Sequence, residues 1–141
     1  MKKIVTLIPS ATEIVAFLGQ KDFIVGRSHE CDYPKDLNKI VKLTSPKINV
    51  DGSSGEIDKQ INTILENSLS VYKVDIEQLK ILNPDFVVTQ SQCEVCAVSF
   101  SEVEEIVAKE IGGIFSSCDV VNEDSMQSGL DAAKKAHGPG R

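Results

Sequence analysis

A chain of 141 residues has room for one globular domain with a hydrophobic core, and not for two of ordinary size. Hydrophobic residues at 41% and charged residues at 26% fit neither a disordered nor a membrane-embedded composition. Fifteen Lys and Arg against twenty-one Asp and Glu leave a net charge of −6 with no clustered basic stripe, which argues against nucleic acid as a partner.

The opening MKKIVTLIPSATEIVAFLG sets two lysines before apolar residues, as a secretion signal does, but Pro9, Ser10, Thr12 and Glu13 interrupt the apolar run. As written the chain is expected in the cytoplasm, where its four cysteines would be thiols or ligands rather than disulfides. No stretch is long and apolar enough to span a bilayer. KIVTLIP is a β-branched run ended by Pro9, and SATE sets Ser10 and Glu13 in a capping-box relation, so a strand, a turn and a helix are predicted. Gly19 ends that helix and DFIVGRS supplies a second strand, a parallel βαβ start. HECDYPKDL and KLTSPKINVDGSSG, rich in Pro, Gly, Ser and Asp, are predicted as surface loops.

From Glu56 onward, Ile57, Ile61, Ile64, Leu65 and Leu69 follow helical spacing, with Ser53 and Glu56 as a second capping box. VYKVD leads into a short helix carrying Ile76, Leu79 and Leu82; Pro84 stops it, and LNPDFVVTQ launches a strand that ends close to Cys93 and Cys96. Ser101 and Glu104 are expected to cap a helix whose Val103, Ile106, Val107 and Ile111 face inward. Gly112 and Gly113 then turn into a strand IFSS, and a weaker helix from near Asn122 carries Met126, Leu130 and Ala133 before a tail-like HGPGR. Strands alternating with helices, without internal repeats, predict an α/β fold: a parallel sheet flanked by helices.

Ligands of such sheets sit beyond the carboxyl ends of the strands. The loops there are PSATE, SHECDYP, QSQCEVCAVS and SSCDVVN, which hold the polar and thiol-bearing residues. A capping box explains Ser10 and Glu13 without a ligand, while free N–H groups at a helix start also receive anionic or amide groups. Neither a P-loop nor a G-x-G-x-x-G fingerprint occurs. His29 and Cys31, two apart in an extended segment, point the same way, and with Cys93 and Cys96 make a set suited to zinc or an iron–sulfur centre. Alternatively, Cys93 and Cys96 form a redox pair whose thiolate a helix start favours, or simply line the cleft. Cys118 is read as buried or rim packing rather than as a ligand. No acid, base and nucleophile converge, so catalysis is not expected.

Together, IPSATEI, VGRSHECDYP, LNPDFVVT and CEVCAVS resemble the periplasmic-binding-protein-like family (class III) that binds cobalamin and iron–siderophores for ABC transporters, over Lys3 to Asp119. The resemblance implies a single Rossmann-like lobe of a two-lobe fold, with residues 1–121 as the amino-terminal lobe and 122–141 as the start of the connecting helix and tail, the second lobe being absent. It places Pro9, Ser10, Ala11, Thr12, Glu13, His29, Glu30, Cys31, Asp32, Tyr33, Gln90, Gln92 and Cys93 on the cleft. Tyr33 is then suited to the face of a flat macrocycle, and His29 to axial ligation of cobalt or iron. The implied ligand is cobalamin, haem or another iron chelate such as a siderophore, and the implied partner an ABC permease. The family role also implies a periplasmic location after removal of a signal. Three departures stand out: the absence of that signal, an extra helix between about Gly52 and Val74, and the missing second lobe. One lobe alone buries about half of a ligand, where good pockets bury roughly 70–90%, so the expectation is either a piece of a longer protein or a homodimer whose second copy supplies the missing face. The rival reading is a metal or iron–sulfur redox protein built on His29, Cys31, Cys93 and Cys96, and a third is an interaction domain whose edge cysteines only pack.

Overall fold

Short β-branched runs and the helices between them build the first part of the chain. The computed structural model describes residues 2–48, 51–66, 71–90, 103, 112–114, 116, 118–119 and 121–138. In chain order its principal elements are β1 (Ile4–Thr6), α1 (Pro9–Phe17), β2 (Ile24–Arg27), β3 (Val41–Lys42), β4 (Thr44–Pro46), α2 (Ser54–Glu66), β5 (Tyr72–Val74), α3 (Ile76–Leu82), β6 (Phe86–Val88) and α4 (Glu123–His137). The chain falls into two units, Met1–Val103 and Glu104–Arg141.

In the first unit four strands pair in parallel in the order β3-β2-β1-β6. Ile4 sits opposite Ile24 on one side and Phe86 on the other. This is the α/β architecture that the alternation of strands and helices predicts. Val15 of α1 packs with Ile24 and Leu37, flanked by Ile4 and Ile40, while Ile8 and Ala11 pack on Val88. Burying each Val, Leu or Ile contributes about 1.5–3 kcal/mol, so these contacts hold α1 to the sheet.

The start of α1 departs from the capping-box expectation. The N-cap is Ile8, without a side-chain cap, and Pro9 takes the first helical position. Proline's fixed φ suits that place and its missing N–H costs nothing there, so Ser10 lies inside the helix rather than before it. The other end matches expectation. Gly19, at φ +73°, donates its N–H to the Ala16 carbonyl while Gln20 donates to that of Val15, closing a Schellman motif that satisfies two terminal carbonyls.

The segment KLTSPKINVDGSSG, predicted as surface loop, is partly strand. Its residues Thr44–Pro46 form β4, antiparallel to β5, with Thr44 opposite Val74 and Pro46 opposite Tyr72. Leu43 is wholly buried; its N–H donates to the Arg27 carbonyl and its own carbonyl accepts from Asp75, each at 2.8 Å. One residue thus joins the parallel sheet to the two-stranded ribbon. Ser53 donates its N–H and hydroxyl to Glu56 Oε2 at 2.9 and 2.7 Å, the expected cap of α2, which holds the Glu56 carboxyl below its usual range. Asp75 caps α3 by accepting from the Gln78 N–H at 3.0 Å, and Asn83 ends it at φ +45° just before Pro84.

Val103 is helical and buried, while the remaining residues of the helix expected from Ser101 lie outside the described residues. Of the strand expected at IFSS, Ile114 and Ser116 are described and neither is in a strand, Ile114 being 43% exposed; Phe115 and Ser117 lie outside the described residues. α4 begins where expected, Asn122 Oδ1 accepting from the Ser125 N–H at 3.1 Å. Among the described residues no helix is long and apolar enough to cross a membrane.

Candidate ligand site at the carboxyl edge of the sheet

Strand order reverses at β1: β2 and β3 lie to one side, β6 to the other. In an open parallel sheet that reversal leaves a crevice beyond the carboxyl ends of the two strands that flank it. The Leu7 N–H donates to the Val88 carbonyl at 2.9 Å, tying the exits of β1 and β6 together. Three expected segments, Pro9–Glu13, His29–Tyr33 and Gln90, follow β1, β2 and β6 respectively.

Their side chains divide. Pro9 is half-buried, and Ser10 and Glu13 are exposed. Ala11 and Thr12 turn into the core: Ala11 packs with Ile8, and Thr12 Oγ1 lies 2.7 Å from Thr6 Oγ1 and donates to the Ile8 carbonyl at 3.3 Å. Those two side chains fix where α1 starts. Gln90 is half-buried beside Thr89, whose buried hydroxyl has no hydrogen-bond partner among the described residues. Gln92, Cys93 and Cys96 lie outside the described residues.

The loop after β2 is held by a residue that the sequence reading missed. Arg27, 2% exposed, donates from Nε to the Leu37 carbonyl at 3.0 Å, from Nη1 to the carbonyls of Ser28 and Cys31, and from Nη2 to that of Asn38. A guanidinium carries five donors in a rigid fork, and here four carbonyls around one turn receive them. The arginine is the template on which residues 28–38 fold. Its signal in the sequence is a charge inside an otherwise apolar strand, IVGR.

Thr44 and Tyr72 of the ribbon hold the front of the same loop. Thr44 Oγ1 accepts from the His29 N–H at 2.9 Å and lies 2.7 Å from His29 Nδ1 and 3.2 Å from Ser28 Oγ. Nδ1 is therefore engaged, which leaves Nε2 as the nitrogen for a ligand or metal. The Tyr72 ring meets the His29 ring edge to face, centroids 5.0 Å apart at 68°, and its hydroxyl donates to Glu30 Oε1 at 2.6 Å. Cys31 is buried and donates from Sγ to the Tyr33 carbonyl at 3.2 Å; Asp32 is exposed and Tyr33 is 60% exposed. Among the described residues no three of His, Cys, Asp and Glu cluster as a metal set.

Burial holds the His29 imidazole below its ordinary value of about 6.5; Glu30 pulls the other way and Lys42 deepens the depression. The unfolded chain then binds this proton more readily than the folded one. The neutral ring's contribution is complete above about pH 6.5 and is lost as pH falls through the folded value. An NMR titration is expected to put the His29 midpoint below 6.5, and His29→Gln to flatten the acid-side fall in stability. A midpoint at or above the ordinary value contradicts this environment.

A groove along α2 lies elsewhere in the first unit. Its volume is about 470 Å³ and Lys47, Ile48, Glu56, Lys59, Gln60 and Ile64 are among its lining residues, none of them predicted for the site. Size alone does not mark it, since it lacks the convergence of loops that the sheet edge has.

No family model matches the chain, and no solved structure does. The uncharacterized ABC transporter substrate-binding lipoprotein YvrC of Bacillus subtilis (strain 168) is 34% identical over 140 residues, taking in 96% of this chain and 42% of the relative. The chain spans less than half the length of the curated relative it matches. Across nearly its whole length, then, the chain is similar to part of a substrate-binding lipoprotein of an ABC transport system.

Proposed function

We propose that this chain captures a small molecule reversibly at the carboxyl edge of its parallel sheet, as a ligand-binding lobe of an ABC-transport substrate-binding protein. The observation that carries the reading is the convergence of the α1 start, the Arg27-templated loop and the end of β6 on one strand-order reversal. Similarity to a substrate-binding lipoprotein points to the same role, and to binding rather than catalysis. The ligand class is a cobalamin, a haem or an iron–siderophore chelate. Tyr33, 60% exposed, offers an aromatic face to a flat macrocycle. A permease is the partner in this role, and a second lobe or a second copy provides the opposing face. The relative is a lipoprotein, which lends the cytoplasmic expectation no support; this role belongs outside the cytoplasm.

Metal content and the absorbance spectrum of anaerobically purified protein, before and after hydroxocobalamin, test the reading. Metal-free protein that shifts the corrinoid bands is the expected result. Zinc or iron at one per chain, lost in Cys93→Ser, would instead favour a redox or structural centre on His29, Cys31, Cys93 and Cys96.

A further inference from the structure

We infer that the β4–β5 ribbon forms a wall of the ligand site, with Tyr72 as the positioning residue that presents Glu30 and His29 to ligands bearing N–H donors on their rim. The inference rests on the capture reading above and narrows its ligand class.

Tyr72 engages two residues of the β2 loop at once. Its hydroxyl donates to Glu30 Oε1 at 2.6 Å and its ring stands against that of His29. From the neighbouring strand, Thr44 engages both the backbone N–H and Nδ1 of the same histidine. Two paired strands thus grip one loop, and both gripped side chains follow β2 at the sheet's carboxyl edge.

A surface glutamate normally samples many rotamers, and ordering it on binding costs affinity. Here the Tyr72 hydroxyl, in a short charge-assisted bond, fixes the Glu30 carboxylate in advance. An ionised carboxylate is acceptor-only and has lone pairs beyond the one this bond takes. Exposed and held, it is an acceptor prepared for N–H groups, such as the primary amides that ring a corrinoid. A ligand rimmed by carboxylates, as haem is, meets like charge at the same place.

Titrations of the whole chain with hydroxocobalamin and with haemin test this in wild type, Tyr72→Phe, Glu30→Gln and the double variant. Tyr72→Phe keeps the ring and removes the hydroxyl that donates to Glu30. It is expected to weaken hydroxocobalamin binding about fivefold to tenfold, the scale of one hydrogen bond, while haemin binding holds or tightens. Glu30→Gln is expected to do the same, and the double variant to fall no more than about twofold below the weaker single one. Melting temperature checks the fold; if Tyr72→Phe melts early, Glu30→Gln at its exposed position carries the comparison alone. Hydroxocobalamin bound as tightly by the variants as by wild type, effects that multiply, or equal loss toward haemin would overturn the inference and leave capture standing. Wild type that binds neither probe overturns both.

Discussion

Arg27→Met is expected to cost about 3 kcal/mol or more, and to loosen the loop over residues 28–38 beyond the rest of the molecule. The side chain is 2% exposed and its fork satisfies the carbonyls of Ser28, Cys31, Leu37 and Asn38. Methionine fills much of the volume but donates nothing, and each carbonyl left buried without a donor costs about 1–3 kcal/mol, partly recovered as water enters. Relief from burying a charge offsets some of this, so the figure stays well below the sum of four lost bonds. Arg27→Lys restores less than half, because an ammonium is a point charge with three donors and cannot span carbonyls on several sides. Denaturant titration gives the stability, and amide exchange gives the local opening. A loss below about 1 kcal/mol, or exchange spread evenly over the sheet, would show that the loop folds without its template.

Leu43→Ala is expected to destabilise by about 2–5 kcal/mol, since Leu43 is fully buried at the seam between sheet and ribbon. The same seam explains Gly26. A Cβ there would overlap Leu43 Cδ1 and lie 3.1 Å from Leu82 Cδ1, so Gly26→Ala should cost about 1–3 kcal/mol through overpacking. The two changes act on one space, the first opening it and the second filling it. Their combination should therefore cost less than the sum by about 0.5–3 kcal/mol. Additive losses would mean that Gly26 is required for its backbone rather than for closeness to Leu43.

The parts of this fold that sequence alone reveals are those with local chemistry. β1, β2 and β6 announce themselves as β-branched runs, and α3 as an apolar stripe closed by Pro84. α2 is legible from Ser53 and Glu56, whose side chains meet as the spacing predicts. At α1 two local signals competed, and the rigid Pro9 prevailed over the Ser10–Glu13 pattern. The ribbon was invisible because its strands are three residues long, contain Ser45 and Pro46, and pair across thirty positions, Thr44 with Val74. Non-local pairing of that kind leaves no periodicity to read. The candidate site divides in the same way. His29, Glu30 and Tyr33 stand in one polar loop of the sequence and Arg27 shows there as a charge in an apolar run, whereas the hold of Thr44 and Tyr72 on that loop emerges only once the strands are assembled.

The most direct test of a ligand site at the sheet edge is to add hydroxocobalamin to isotope-labelled protein and follow backbone amide resonances. Shifts are expected to concentrate at Ser10, His29, Glu30, Tyr33, Tyr72 and Gln90, while Lys59 and Gln60 in the α2 groove stay still. Shifts gathered along that groove, with the loop after β2 unmoved, would contradict a site at the sheet edge.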